Sequence, residues 1–419
     1  MSGSSHSRSG ETRVSPQGFD PSRDAVSLTV EGTRLAGWQT LRITRGIERM
    51  PSDFLLAVTE KFPGAADVVV RPGAPCEVRI GGDLVVGGYV DRYDPSITSK
   101  AHDVRVSGRG KCADLVDCSL LFDGNQLSQV SVIDLARKLA EPYGVAVRGP
   151  ADAGKVIGQI NLLLGETPFE VIERVTRWAR LLAYEATDGD LVLASVGAEK
   201  HAGGFREGAN VQAASASWGM DQRYSEYVGF ILSSNSLSDL DALRGQAAGA
   251  GNKVGTASDP DAAALKRADG KPRLRRKVVI SEQFDFALGY LAEARAKWEM
   301  QRRWGRGQAV RLTVDSWRDP DGRLWEPNRL ATVHLPSLKI HEAEWLIAEV
   351  SFIKAEQVGT VAEVLLMPKA AFEIEPTSLQ PVFGDVAQAL ERGNPTGTGE
   401  PLGSTPTFNP TTGRATGPV

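Results

Sequence analysis

The chain has 419 residues, a length that fits two to four domains of roughly 100–200 residues each. Hydrophobic residues make up 41% of it and charged residues 24%, which is typical of a globular protein and excludes disorder throughout. The formal net charge of −4 gives no overall attraction to nucleic acid or anionic lipid. Because no run of about 18 apolar residues occurs, we expect no membrane-spanning helix and no stable membrane binding.

Both ends of the chain are poor in apolar residues. Residues 1–24 are rich in Ser, Gly, Arg and Pro and are predicted to form an N-terminal arm. Residues 376–419 are rich in Pro, Gly and Thr and are predicted to form a C-terminal tail. Neither segment can bury enough apolar surface to offset the entropy of ordering, so flexible tails are favoured over arms that order on a partner.

Residues 25–118 are predicted to form a first β-barrel domain. Apolar and polar residues alternate there, as at Val78 and Ile80 and again at Val104 and Val106. Such a period of two indicates strands with one buried face. Several short strands separated by glycine pairs favour a small barrel or sandwich.

Residues 119–204 change to a helical period and are predicted to be an α+β module. Thr167 is placed to cap a helix, Pro168 would be its first helical residue, and Glu170 can complete a capping box. Further along, Asp188-Gly189 separates two apolar runs, which indicates a β-hairpin.

The remaining segments are mainly β. Residues 205–280 are predicted to be strands with a flexible loop over 244–262. Residues 281–375 are predicted to begin with a helix and to continue as a second β-barrel domain. The spacing of Val90 to Val104 equals that of Val350 to Val364, a weak repeat that allows two related barrels. The predicted fold class is therefore α+β, mainly β, with two similar small β-barrel domains, an inserted α+β module and further strands.

No arrangement of residues typical of a catalytic or metal site is visible. Cys112 and Cys118 have no second ligand pair nearby, so zinc is disfavoured and both are predicted to be buried thiols. The total of three cysteines disfavours a disulfide framework and fits a protein made in a reducing cytoplasm. The acidic cluster Asp315, Asp319 and Asp321 lies in a segment typical of a hairpin turn and offers too few ligands for calcium. We therefore expect no enzyme and no cofactor.

A basic strip is the strongest electrostatic signal. Residues 266–311 contain thirteen Lys and Arg against five Asp and Glu. Such a strip could face DNA or an acidic protein surface, and a solvated helix face is an equal alternative. Its candidate partner-facing or channel-facing residues are Lys271, Arg273, Arg275, Arg276, Lys277, Arg302 and Arg303.

Four blocks of the sequence carry a resemblance to a known family. They are GTRLAGWQTLRITRGIERMPSDFLLAVTE, GGYVDRYDPSITSKAHDVRVSGRGKCADLVDCS, GETPFEVIERVTRWARLLAYEATDGDLVLA and WRDPDGRLWEPNRLATVHLPSLKIHEAEWLIAEVSFIK. In this order they resemble the baseplate hub proteins of Mu-like contractile-tailed phages. More distantly, the chain is similar to the hub segment of type VI secretion spike proteins.

The resemblance implies a structural role in the virion. A family hub is expected to be a homotrimer whose six barrels form a quasi-sixfold ring between the hexameric tail tube and the trimeric central spike. Its expected partners are the spike, the tube protein, baseplate wedge proteins and the tape measure protein, with transient contact with DNA in the channel. Assembly would take place in the cytoplasm of the host bacterium, and no catalytic residue carries over.

Two other functions stay open from the sequence alone. A tail-associated cell-wall hydrolase would need paired carboxylates in a cleft or a metal site. A DNA-binding module could be built on the basic strip and would bind DNA in a salt-sensitive way.

Overall fold

The computed structural model of the protein describes residues 22–60, 70–99, 102–150, 157–231, 253–281 and 288–372, and two short strands near the C-terminus. The first β unit is a run of seven strands in which buried and exposed residues alternate. In the strand Pro75–Ile80, for example, Cys76, Val78 and Ile80 are buried while Glu77 is exposed. The strands are β1 (Val26–Val30), β2 (Thr33–Ala36), β3 (Thr40–Gly46), β4 (Asp53–Glu60), β5 (Pro75–Ile80), β6 (Asp83–Ile97) and β7 (His102–Gly110).

The α+β module has its own hydrophobic core. The predicted capping box is confirmed: the Thr167 N–H donates to Glu170 Oε2 at 2.8 Å, and the Glu170 N–H donates to Thr167 Oγ1 at 3.2 Å. The predicted hairpin around Asp188-Gly189 is also present. The elements are α1 (Ala113–Asp117), β8 (Gln126–Val130), α2 (Val132–Ala140), β9 (Val147–Arg148), β10 (Ile157–Asn161), α3 (Pro168–Trp178), β11 (Leu182–Glu185) and β12 (Leu191–Ala194).

The cysteines are free thiols with different environments. Cys76 and Cys112 are buried, and burial raises the pKa of the Cys76 thiol to about 12. Cys118 is only half-buried, because it lies just after α1 at the edge of the module. The prediction of a buried thiol is therefore confirmed for Cys112 and wrong for Cys118.

The next segment contains a small three-stranded sheet. The predicted flexible loop over 244–262 is wrong from Lys253 onward, because a strand and a short helix follow one another there. Residues 244–252 lie outside the described part of the chain. The elements are β13 (Glu199–Lys200), β14 (Phe205–Arg206), β15 (Val211–Trp218), β16 (Glu226–Ile231), β17 (Lys253–Ala257), α4 (Pro260–Ala263) and β18 (Arg276–Ser281), with the sheet order β17-β16-β18.

The last unit begins with a long helix and continues as strands. Its elements are α5 (Leu288–Arg306), β19 (Gln308–Val314), β20 (Arg329–Leu335), β21 (Ile340–Ala355) and β22 (Gly359–Met367). A register shift between Ile347 and Glu349 places Leu346 and Ala348 in a small second core and Val350 in the main core.

One 14-stranded sheet joins the first and last units. Its main path runs β15-β19-β22-β21-β3-β4-β7-β6-β5-β1-β2, with β13, β14 and β20 attached beside it. The link is the antiparallel ladder of β21 with β3, from Glu349 opposite Gly46 to Lys354 opposite Leu41. Residues of both units share one core. Two separate closed barrels are not confirmed, because in the described residues this path does not return on itself.

The weak repeat corresponds to two long hairpins of similar build. β6 and β7 have 15 and 9 residues, and β21 and β22 have 16 and 9. The residue correspondence itself is not confirmed, since Val350 pairs with Val364 whereas Val90 pairs with Gly108. The hairpins are alike in length, while their registers differ.

A separate C-terminal unit contributes the two remaining described strands. They are β23 (Thr407–Asn409) and β24 (Arg414–Thr416), which pair with each other antiparallel. The rest of the predicted C-terminal tail, 376–419, and residues 1–21 of the predicted N-terminal arm lie outside the described residues.

Candidate functional site

Three residues of the predicted basic strip surround one aromatic ring. The charged groups of Arg275, Lys277 and Arg303 lie 5.2, 5.9 and 5.5 Å from the centroid of Tyr224. Arg275 also donates to the carbonyl oxygens of Met220 and Asp221. These three cations therefore hold α5 and β18 against the segment that precedes β16, and the guanidinium groups of Arg275 and Arg303 also donate hydrogen bonds within the protein.

Two further members of the strip are also engaged. Arg276 Nη2 lies 2.7 Å from Glu226 Oε2 on the neighbouring strand. Arg302 lies over the ring of Trp298 at 5.3 Å and lines a cleft of about 310 Å³ beside Phe372. The structure therefore does not gather the seven predicted residues into one cationic surface.

Of the seven predicted residues, Lys271 and Arg273 are the exposed ones that have no ion pair within the described residues. Both are exposed on the loop between α4 and β18, where Lys266 and Pro272 form an isolated antiparallel bridge. No ion pair of either side chain is found within the described parts of the chain. The exposed apolar residue Leu274 follows directly.

The acidic cluster is confirmed as a turn. The Gly322 N–H donates to the Asp319 carbonyl at 2.9 Å, and Asp319 itself turns inward to His201. His201 Nε2 accepts the Glu326 N–H at 3.0 Å, so Nδ1 carries the proton and donates to Asp319 Oδ2 at 3.0 Å. Asp315 and Asp321 are exposed, so the three carboxylates do not converge on one point.

A polar row crosses seven strands of the large sheet on the side away from its core. Successive members are partners in register from β15 to β7. The row consists of Ala213 at its β15 end and six polar residues, Thr313, Glu363, Ser351, Thr44, Asp53 and Arg109. The alternate positions of the same strands carry core residues such as Leu312, Val364 and Phe352.

Charges on and beside the polar row are balanced by ion pairs. Arg42 Nη2 lies 3.1 Å from Glu363 Oε2, and Arg49 Nη2 lies 2.6 Å from Asp53 Oδ2. Arg109 Nε lies 2.7 Å from Asp91 Oδ2. A groove of about 420 Å³ runs along the row at its β15 end. The charged members of the row are therefore largely paired, while its short polar members Thr44 and Ser351 are buried and hydrogen-bond to each other at 3.0 Å.

Sequence reasoning identified the strands but not this row. The signal was present as polar residues alternating with buried ones, for example Arg42 and Thr44 around Ile43. That alternation predicts which side of a single strand is polar. The pairing of strands distant in sequence is what aligns seven such faces, and no local pattern encodes it.

A buried carboxylate joins the α+β module to the first unit. Glu185 Oε2 accepts the Ser52 N–H at 2.7 Å, and its Oε1 accepts the Cys112 N–H at 2.9 Å. A Cβ at Gly110 would lie 2.1 Å from both carboxylate oxygens, so only glycine allows this approach. Burial raises the pKa of Glu185 and lowers that of the neighbouring Arg45.

No helix in the described residues has the length and apolar composition to cross a membrane. The same residues contain no group of three or more His, Cys, Asp or Glu side chains that could hold a metal ion.

Models of known families match three successive parts of the chain. Residues 25–110 match the N-terminal part of the Mu phage baseplate assembly protein GpP-like family. Residues 112–195 match the second domain of the gp44-like baseplate hub proteins, and residues 289–375 match the fourth domain of the Mu phage baseplate assembly protein GpP. The second match begins at Cys112, which packs in the core of the α+β module.

Known proteins are similar over most of the chain. Baseplate hub protein gp44 of Escherichia phage Mu is 29% identical over 355 residues, which is 83% of this chain and 89% of that protein. A 43 kDa tail protein of prophage MuSo2 from Shewanella oneidensis is 29% identical, with a TM-score of 0.70 over 84% of this chain and 99% of its own.

A tail protein from Neisseria meningitidis MC58 shares the fold at 21% identity, with a TM-score of 0.66 over 84% of this chain and 98% of its own. Both β units and the module thus match hub or tail proteins in the same order. The chain belongs to the family of Mu-like phage baseplate hub proteins.

Proposed function

We propose that this baseplate hub protein assembles as a homotrimer around the tail axis and joins the hexameric tail tube to the trimeric central spike. Each subunit would supply its two β units, so that three chains present six units to the tube. The observation that carries the proposal is the continuous sheet through both β units, because it fixes them as one rigid element of the ring.

The polar row would line the channel through which DNA passes. Paired charges fit that role, since neither strong attraction nor strong repulsion would then hinder a polyanion in transit. The basic strip fits it less well, because most of its cations bind groups within the protein. The proposed location is the tail baseplate of the virion, after assembly in the bacterial cytoplasm.

The proposed partners follow from this position. Spike and tube proteins would bind the two ends of the ring, wedge proteins its outside, and the tape measure protein would contact the channel before DNA. The role is mechanical, and no step of it needs a catalytic group or a cofactor.

Light scattering of the purified chain, alone and mixed with its spike, tests the assembly. We expect a mass of three times 44.9 kDa in at least one condition. A monomer in both would contradict a trimer that forms without the tube.

Charge reversal on the polar row tests the channel. Asp53→Lys with Glu363→Lys adds positive charge to the row, and Glu344→Lys with Glu356→Lys adds the same charge at exposed positions elsewhere. We expect slower DNA ejection from particles with the first pair only. Equal ejection rates for the two double variants would show that the row does not face DNA.

A further inference from the structure

Three exposed leucines lie together on two adjoining loops of the α+β module. Leu121, Leu163 and Leu164 are 88%, 64% and 77% exposed. The loops run side by side because the Leu120 N–H donates to the Glu166 carbonyl at 2.8 Å and the Leu162 N–H donates to the Asn125 carbonyl at 2.9 Å. We call these three residues the leucine patch.

The loop that carries Leu163 and Leu164 is held in place by polar contacts. Glu166 Oε2 accepts the Leu163 N–H at 3.0 Å, and Arg174 Nη1 on α3 lies 2.5 Å from Glu166 Oε1. Its neighbours Leu120 and Leu162 are buried in the module. The leucine patch is therefore presented to solvent by a fixed backbone, which is typical of a protein interaction surface.

Acidic residues surround the leucine patch. Asp123 is exposed two residues after Leu121, and Glu170 is exposed in the first turn of α3, just after the loop of Leu163. Asp117 is exposed too, but it pairs with Arg109 at 2.8 Å. A partner of this surface should be apolar at its centre and basic around it.

The same chain carries such a surface elsewhere. Leu274 is 64% exposed just before β18, and Val278 is 48% exposed within β18, which is an edge strand of the three-stranded sheet. The exposed Lys271 and Arg273 stand directly before them. We call these four residues the basic apolar patch.

We propose that the leucine patch of one subunit binds the basic apolar patch of a second copy of this chain. The two patches differ, so the contact is heterologous, and an open oligomer has a free leucine patch at one end and a free basic apolar patch at the other. Such contacts form a closed ring when the rotation between subunits permits. The inference rests on the proposed trimer and names the surfaces that would close it.

Disulfide cross-linking of mixed subunits tests the pairing. Leu164→Cys and Leu274→Cys are made separately in the full chain with Cys118→Ser, which removes the half-buried native thiol. After mixing and mild oxidation, we expect a dimer that contains one chain of each variant. Neither variant should form this dimer alone. Ile97→Cys, at another exposed apolar residue, should not cross-link to Leu274→Cys.

The outcomes separate this inference from the proposed function. A trimeric mass without the mixed cross-link would overturn the pairing of these patches while the hub proposal stands. Absence of both the trimeric mass and the mixed cross-link would overturn the pairing of the patches and the proposal of a trimer that forms without the tube. A cross-link of Leu164→Cys with itself would indicate an isologous contact and contradict the proposal.

Charge exchange gives an independent test. Asp123→Lys and Arg273→Glu should each weaken self-association about tenfold by placing like charges at the contact. The double variant should recover most of the loss, because the pair is restored with reversed sign. Additive losses in the double variant would mean that the two residues do not meet. If Asp123→Lys weakened the binding of a wedge protein but left self-association unchanged, the leucine patch would bind that partner and the proposal would be wrong.

Discussion

The Arg223 guanidinium and the Asp259 carboxylate form a two-pronged ion pair inside the protein. Nε and Nη2 of Arg223 each lie 2.7 Å from one oxygen of Asp259, and both side chains are almost fully buried. Asp259 also accepts the N–H groups of Asp261 and Ala262 and so caps α4. One carboxylate thereby fixes both the strand β17 that precedes it and the helix that follows.

Breaking this pair should destabilise the small sheet strongly. Arg223→Met leaves a buried carboxylate without its cation, and we expect a loss of about 3–5 kcal/mol. Urea unfolding measures it. Arg276→Met, which removes the half-exposed partner of Glu226, should lose about 0–1 kcal/mol and is the matched control. Equal losses for the two variants would contradict a special role of the buried pair.

The Glu185 carboxylate should be necessary for the joint between the α+β module and the first β unit. Glu185→Ala leaves the buried N–H groups of Ser52 and Cys112 without acceptors, and each such group costs about 1–3 kcal/mol. We expect faster hydrogen exchange at these two amides and a lower unfolding midpoint. Glu344→Ala, which removes an exposed carboxylate, should leave both measurements near those of the native chain.

Arg318 should hold the hairpin of the last unit to the first unit. Its guanidinium binds Asp24 at 3.1 Å and Asp83 at 2.6 Å, and it donates to the carbonyls of Gly322, Arg23 and Ile80. We expect Arg318→Met to lose about 2–3 kcal/mol. Arg318→Lys should not restore it, because a single ammonium cannot reach these five acceptors.

Hydrogen exchange and urea unfolding measure this effect. The matched control is Arg42→Met, whose half-exposed guanidinium bridges the same two units by pairing with Glu363. If Arg42→Met destabilised the chain as much as Arg318→Met, burial of the guanidinium would not be what matters.

His201 should make stability depend on pH. Burial lowers its pKa in the folded protein, against a usual value near 6.5. The unfolded chain therefore binds a proton first as the pH falls, and stability is lost from about pH 6.5 downward. Asp319, Glu326 and Arg329 are the charged groups that act on this histidine.

Unfolding midpoints at pH 7.5 and 5.5 measure this effect. His201→Gln keeps polar groups at the site but cannot titrate, so we expect it to be less stable at pH 7.5 and to lose less between the two values. A native pH dependence that the variant fully retains would assign the effect to another group.

Local patterns predicted the parts of the fold that depend on neighbours in sequence. The capping box of Thr167 and Glu170 forms as expected because both partners lie in one helical turn. The turn at Asp319 to Gly322 is likewise local. The strand Lys253–Ala257 was missed because its glycine-containing sequence favours a loop and its pairing partner, β16, lies far before it.

In the basic strip, too, the sequence predicts what depends on local composition but not what depends on distant residues. The excess of Lys and Arg over Asp and Glu in residues 266–311 is evident from the sequence alone. Whether a cation faces solvent depends on Tyr224, Glu226 and Met220, which lie about 50 residues away or more in sequence from Arg275 and Arg276. Lys271 and Arg273 are exposed and have no ion pair within the described part of the chain, whereas the exposed Arg276 pairs with Glu226.

Local patterns of the sequence predicted the mainly β class, the helices of the module and the resemblance to baseplate hubs, because each rests on residues close together in the chain. The tertiary structure decided that both β units share one sheet and one core, and that seven strands align their polar positions into a row. The physical reason is that strand pairing is a long-range choice, made by the core residues on the opposite face and by ladders such as that of β21 with β3.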